Sequence, residues 1–347
     1  MTKSALISAA AAAALLAGPA FAQTRGQAAA PKAPPTELAR DFSGVWTNAT
    51  VTQLERSAAF TELVVPKDKA EAVAKATVAR RDAANGKSDL SQGAFKDENS
   101  QAGYNSFWID SGDSLMRVRG EARSSFITSP ADGKMPFRNR EKSMALMIRD
   151  FAEYRSGHGA YTDPEDLPLR ERCLISQSDA GGPVMLNALY NNNYSFFVTP
   201  GYFVIDLEMN HDVRIAPLFA SAKEARAHHG PAAIRPWLGD SVAWWDGDTM
   251  IVETKNVHPE QEGRTMTPVS SKGTVTERFT RIAKDELLYQ FTVDDPVHYT
   301  QAWSGEYSFK PSKGRIYEYA CHEGNYAMEG ILRGARLQEA AAAKRGN

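Results

Sequence analysis

The stretch DSVAWWDGDTMIVETKNV, residues 240–257, decides the fold. Two runs rich in β-branched and aromatic residues, DSVAWW (240–245) and TMIVETKNV (249–257), flank the turn sequence WDGDT. Such runs punctuated by Asp-Gly read as two strands of a hairpin. The pattern recurs on both sides of it. YSFFV (194–198), YFVIDLEMN (202–210), DVRIAPL (212–218), TVTERFTRI (274–282), ELLYQFTVD (286–294), YTQAWSGEYSF (299–309) and RIYEYACH (315–322) are separated by turns such as TPGY, AKDE and PSKG. FSGVWT, YNSFWID, SLMRVRG and SSFITSP add strands from the first half. About a dozen strands with few strand–helix–strand intervals predict a mainly β fold, an antiparallel meander closed into a barrel.

Helices are few. Asp68 with Glu71 forms a capping-box-like start and Asn85-Gly86 a stop, predicting a helix around KAEAVAKATVARRDA. Met144, Met147, Ile148 and Phe151 repeat at helical spacing, predicting a second over 140–154. A third, over LQEAAAAK, closes a tail of residues 336–347 that follows a single barrel domain of 41–335.

The N-terminus reads as a targeting segment. Lys3 precedes the apolar run Ala5–Leu16, and Ala20-Phe21-Ala22 is a cleavage motif, so residues 1–22 form a signal peptide cut after Ala22. Residues 23–40 are rich in Ala and Pro and read as a linker. Later runs are too short for a membrane span, which predicts an exported, periplasmic protein. A net charge of −2 without a basic run argues against nucleic acid as a partner. Export places the two cysteines, Cys173 and Cys321, in an oxidising compartment. One disulfide joining ERCL to YACHEGN is the first reading; a free catalytic thiol is the other.

GYNSFWID, LYNNNYSFFVTPGYFVI, EMNHDVRIAPL, PWLGDSVAWWDGDTMIVETKN, TERFTRI, LLYQFTVDDP and YEYACHEGNY together resemble a family of exported, mostly uncharacterised proteins from proteobacteria and acidobacteria. The resemblance spans residues 100–340 and implies export but no particular activity. FSGVWT is also similar to the G-x-W strand start of lipocalin-like barrels, which agrees with the meander.

Three clusters carry candidate chemistry. In EMNHDVRI, strand alternation places Phe203, Ile205, Leu207, Met209, His211, Val213 and Ile215 on one face, and Asp206, Glu208, Asn210, Asp212 and Arg214 on the other. A break near Asn210-His211 would swap the faces. The second face is either a solvated charge ladder or a lumen site where Arg214 holds one carboxylate ionised while a less solvated one stays protonated. His211 is either a core residue or a general base. YEYACHEGNY offers His322, Glu323, Asn325 and Tyr326 beside Cys321, either as a capped turn or as proton-transfer and orienting groups. Asn191, Asn192 and Asn193 with Tyr190 and Tyr194 either satisfy a tight loop or line a polar mouth.

No G-x-S-x-G, phosphate loop, G-x-G-x-x-G, H-E-x-x-H or C-x-x-C occurs, so neither a metal nor another cofactor is expected. His228-His229 falls in a polar stretch expected to be exposed. The sequence therefore points to a cofactor-independent enzyme with an aromatic-lined barrel pocket for a small aromatic or hydrophobic compound. A lyase fits ahead of an isomerase or hydrolase, with a lignin-derived phenolic dimer as the specific case. Its catalytic candidates are His211, Glu208, Asp212 and His322; Arg214, Asn193, Tyr194, Asn325 and Tyr326 would bind substrate. The alternatives are a non-catalytic lipocalin-like carrier of a small hydrophobic ligand, and a structural envelope protein.

Overall fold

The computed structural model describes residues 38–85, 110–143, 163–176 and 179–345. The first half supplies β1 (Val45–Thr47), β2 (Val64–Val65), α1 (Lys67–Asn85), β3 (Arg117–Val118), β4 (Glu121–Arg123) and β5 (Ile127–Ser129). Then follow β6 (Asn193–Val198), β7 (Tyr202–Leu207), β8 (Val213–Phe219), α2 (Ala222–Ala227), β9 (Asp240–Asp246) and β10 (Thr249–Lys255). The chain continues through α3 (Pro259–Arg264), β11 (Thr274–Ala283), β12 (Glu286–Asp294), β13 (Trp303–Pro311) and α4 (Tyr326–Arg345).

The expected barrel is present. β1 pairs with β6, the order runs on from β6 to β13 in sequence, and β13 pairs back to β1, closing nine strands. The quoted stretch forms the β9–β10 hairpin in register from Thr249 opposite Asp246 to Lys255 opposite Asp240. The barrel is mixed, because β8 and β9 run parallel. A crossover carrying α2 joins them, and it packs Ala225 on Val242, Trp244 and Ile251 outside the barrel.

His229 ties this crossover down. Its side chain is only 8% exposed, with Nδ1 2.9 Å from Asp240 and Nε2 3.4 Å from Glu253. The expectation of an exposed histidine pair is thus corrected for His229, because two carboxylates on β9 and β10 draw it in. Burial disfavours the charged ring, but Glu253 and Asp240 outweigh it and raise the His229 pKa. The stability this gives is present at acid pH and lost as pH rises through the folded pKa. Denaturant unfolding of wild type and His229→Gln should therefore differ more at about pH 6 than at about pH 8.5.

The lumen is filled. Phe196, Phe203, Phe279, Tyr289, Tyr307 and Phe309 pack ring against ring with centroids 4.8–6.1 Å apart. Gly305 on β13 makes room for this fill, since a Cβ there would stand 2.3 Å from the Phe291 ring. One mouth is stoppered by buried residues Asp179–Leu186. Three tyrosine hydroxyls anchor this plug: Tyr194 donates to Ala180 O (2.9 Å), Tyr307 donates to Met185 O (3.0 Å) and Tyr289 accepts from Met185 N (3.2 Å). The lumen pocket expected from the aromatic strands is therefore occupied by protein, a correction that follows from these rings having to bury themselves somewhere.

Asp179 latches the plug to the next loop by accepting from Thr267 N (2.9 Å) and Thr267 Oγ1 (3.0 Å). Complete burial raises its pKa to about 6 despite these bonds. A raised carboxyl binds its proton more tightly in the folded state, so its stabilising contribution is present below the unfolded pKa and lost through about 6. Relative to Asp179→Asn, wild type should gain on the order of 3 kcal/mol between about pH 7.5 and pH 4. Chemical denaturation of both proteins across that range measures it.

Five other expectations meet the structure here. The helix around 69–83 forms as α1. That over 140–154 lies outside the described residues from Met144 on, as does YNSFWID apart from Asp110. RIYEYACH is not a strand, and α4 begins already at Tyr326. Both edges of β13 are taken, by β12 on one side and by β1 and β5 on the other, so the next segment has no edge to join. It becomes a strap returning to the plugged mouth.

No helix among the described residues is long and apolar enough to cross a membrane. Residues 1–37, which include the signal motif, lie outside the described residues.

Candidate functional site

The strap ends at a disulfide. Cys173 and Cys321 are bonded with Cα atoms 5.8 Å apart, which brings ERCL to YACHEGN as expected. Asn325 reinforces the junction by donating from Nδ2 to Glu171 O at 2.7 Å. A cleft of about 550 Å³ opens between strap and mouth, a size usual for small-molecule sites. Arg170, Glu171, Ser176, Tyr190, Asn210, Glu318, Tyr319 and Asn325 give it polar groups and two phenolic rings; Ile175 and Met209 add apolar surface.

The turn from β7 to β8 shapes this cleft. Asn210 and His211 both adopt left-handed backbone, with φ of 60° and 50°. Asn tolerates that conformation and His does so less readily, so the turn is held by its surroundings. This is the break that swaps the strand faces. Beyond it Val213 and Ile215 are 43% and 59% exposed, while Arg214 points into the lumen.

The predicted residues scatter around the cleft in different roles. Glu208 is buried and both its oxygens are taken, by Asn191 Nδ2 (2.7 Å) and Asn193 Nδ2 (2.6 Å). Asp212 lies behind the cleft wall, accepting from Ser176 N at 2.7 Å and Asn210 Nδ2 at 3.0 Å. Burial raises its pKa in spite of those bonds. Gly181 of the plug packs against it so closely that a Cβ would stand 2.5 Å from Asp212 Oδ2. His211 is exposed, and its Nε2 accepts the Tyr319 backbone N–H at 2.7 Å. His322 is exposed next to the disulfide.

Among the expected substrate-binding residues, Asn325 lines the cleft. Tyr326 is 81% exposed at the start of α4. Asn193 is occupied by Glu208, and Tyr194 by the plug. Arg214 is buried in the lumen in a bidentate pair with Glu277, Nη1 reaching Oε1 at 3.0 Å and Nη2 reaching Oε2. Nη2 also donates to Thr254 Oγ1 at 2.9 Å, and Tyr289 donates to Glu277 Oε1 at 2.7 Å. The partner that holds Arg214 is thus Glu277 on β11, not Glu208 or Asp212.

Arg170, Ser176, Glu318 and Tyr319 were not among the sequence candidates. The available signal was the cysteine pairing, which already implied that the flanks of Cys173 meet the flanks of Cys321. No cluster of three or more His, Cys, Asp or Glu side chains among the described residues is arranged to hold a metal ion. Compared with known proteins, the chain matches no family model, no curated protein and no solved structure.

Proposed function

We propose that the protein is a cofactor-independent acid/base enzyme of the lyase class, acting on a small hydroxylated aromatic compound in the disulfide cleft. The observation carrying this reading is the convergence of ERCLIS, the Asn210-His211 turn and YEYACHEGN on one cleft that holds two carboxylates, a guanidinium and two phenol rings. Tyr190 and Tyr319 provide aromatic surface for the substrate ring, and Asn210 and Asn325 orient its oxygens. Glu318 takes the proton of a substrate hydroxyl. The resulting alkoxide, favoured by the Arg170 charge, collapses to a carbonyl as a C–C bond of the same carbon breaks and its electron pair leaves on the departing carbon. Glu318 then returns the proton to the departing carbon, so the cycle balances without an oxidant.

Incubation with a panel of phenolic dimers tests this. Turnover should appear and fall about 10²–10⁴-fold in Glu318→Gln, with the fold checked by circular dichroism. A ligand retained without product, and equally by Glu318→Gln, would instead indicate a carrier. The packed rings of the lumen give such a carrier no place for its ligand there, which is why the enzyme reading stands first.

A further inference from the structure

We infer that His211 is a positioning residue for the cleft: its neutral ring holds the Glu318–Ala320 wall through the Tyr319 backbone N–H, and protonation of the ring releases that wall. This deepens the reading of the cleft and rests on it.

Donor and acceptor chemistry carries the argument. A backbone N–H can only donate, so Nε2 of His211 must present a lone pair at the 2.7 Å contact. The proton of the neutral ring therefore sits on Nδ1. An imidazolium would set N–H against N–H at that distance, turning an attraction into a repulsion. The same occupancy makes His211 a poor general base, because its lone pair is already engaged.

The backbone that carries this ring is constrained. His211 keeps a left-handed φ of 50° immediately after Asn210 at 60°, a pair of non-glycine residues in a conformation L-residues avoid. The strap is also held by the disulfide at Cys321 and by Asn325, both beyond the wall residues, and by the Tyr319 ring packed on the barrel core. Glu318, Tyr319 and Ala320 all line the cleft, so the bond from Tyr319 N to His211 fixes the very residues that would meet a ligand.

The charged groups around the ring are accounted for. Asp206 on β7 is near enough for its carboxyl to feel the His211 charge. Glu208 and Asp212, on the turn itself, have their oxygens engaged by Asn191, Asn193, Asn210 and Ser176. Glu318 precedes Tyr319 on the strap.

The test reads the Tyr319 amide directly. Its hydrogen exchange, corrected for intrinsic rate, is followed by NMR at about pH 8 and pH 5 in wild type, His211→Gln and His211→Phe. Wild type should lose about five- to tenfold protection at the lower pH, the worth of one exposed hydrogen bond. His211→Gln, whose amide oxygen accepts at either pH, should stay protected at both, and His211→Phe at neither. With a turned-over phenolic substrate, acid should raise KM more than it lowers kcat in wild type, and His211→Gln should flatten that rise. Equal wild-type protection at both pH values, or an unchanged pH dependence in His211→Gln, overturns the inference. Because exchange needs no substrate, a failure to find turnover would count against the lyase reading alone.

Discussion

Removing the Cys173–Cys321 bond, by reduction or by replacing both cysteines with alanine, is expected to lower stability by about 5 kcal/mol. The bond closes a loop of 148 positions, so its loss returns a large conformational freedom to the unfolded chain. Guanidinium unfolding of the oxidised and reduced protein measures the difference. The folded barrel itself should survive at low denaturant, since β13 keeps its ladders to β12 and β1 and the strap follows it in sequence. The cleft should not survive intact, because the strap that forms one wall would lose its covalent tie and keep only noncovalent contacts, among them those of Asn325, His211 and the Tyr319 ring. Far-ultraviolet circular dichroism unchanged on reduction, together with lost ligand binding, is the expected pair of results. A stability change below about 1 kcal/mol would show that the unfolded chain gains little freedom and that this loop-closure account is wrong.

Glu277→Leu is expected to cost about 3–5 kcal/mol, the usual penalty for leaving one member of a buried ion pair alone. Arg214 is buried in the barrel, and after that change its guanidinium would keep hydrogen bonds to the neutral hydroxyls of Thr254 and, at 3.4 Å, Ser241. The loss also reaches the plug. Tyr289 donates to Glu277 while accepting from Met185 N, so an unpartnered Tyr289 hydroxyl loosens the mouth as well as the core. Burial and the neighbouring Glu277 carboxylate hold the Tyr289 pKa well above its ordinary value, which keeps it a donor. The triple replacement Arg214→Met, Glu277→Leu, Tyr289→Phe removes both charges and the phenol bonded to them together. It should recover much of the lost stability, because no buried charge is then stranded. Thermal unfolding of single and triple variants decides the matter; a triple variant as unstable as Glu277→Leu would count against charge burial as the cause.

The sequence by itself determined the barrel. Runs such as YSFFV, TVTERFTRI and ELLYQFTVD, broken by TPGY, WDGDT and AKDE, specify hairpins locally, and a ladder of hairpins has few ways to close. The disulfide was equally legible, since two cysteines in a chain whose N-terminus reads as an export signal have one pairing to make. Tertiary structure alone decided which polar residues meet. The phase of β8 relative to β7 turned on two left-handed residues at Asn210 and His211, and one residue of register moves Arg214 from solvent to lumen. Its partner Glu277 lies on a strand far along the chain, and no local pattern links them. RIYEYACH looked like a strand because its residues suit one, yet a barrel already closed by β1 offered it no edge. Hydrogen bonds between strands are a property of the whole sheet, and that is why the candidate site sits at the plugged mouth rather than in the lumen that the aromatic strands seemed to promise.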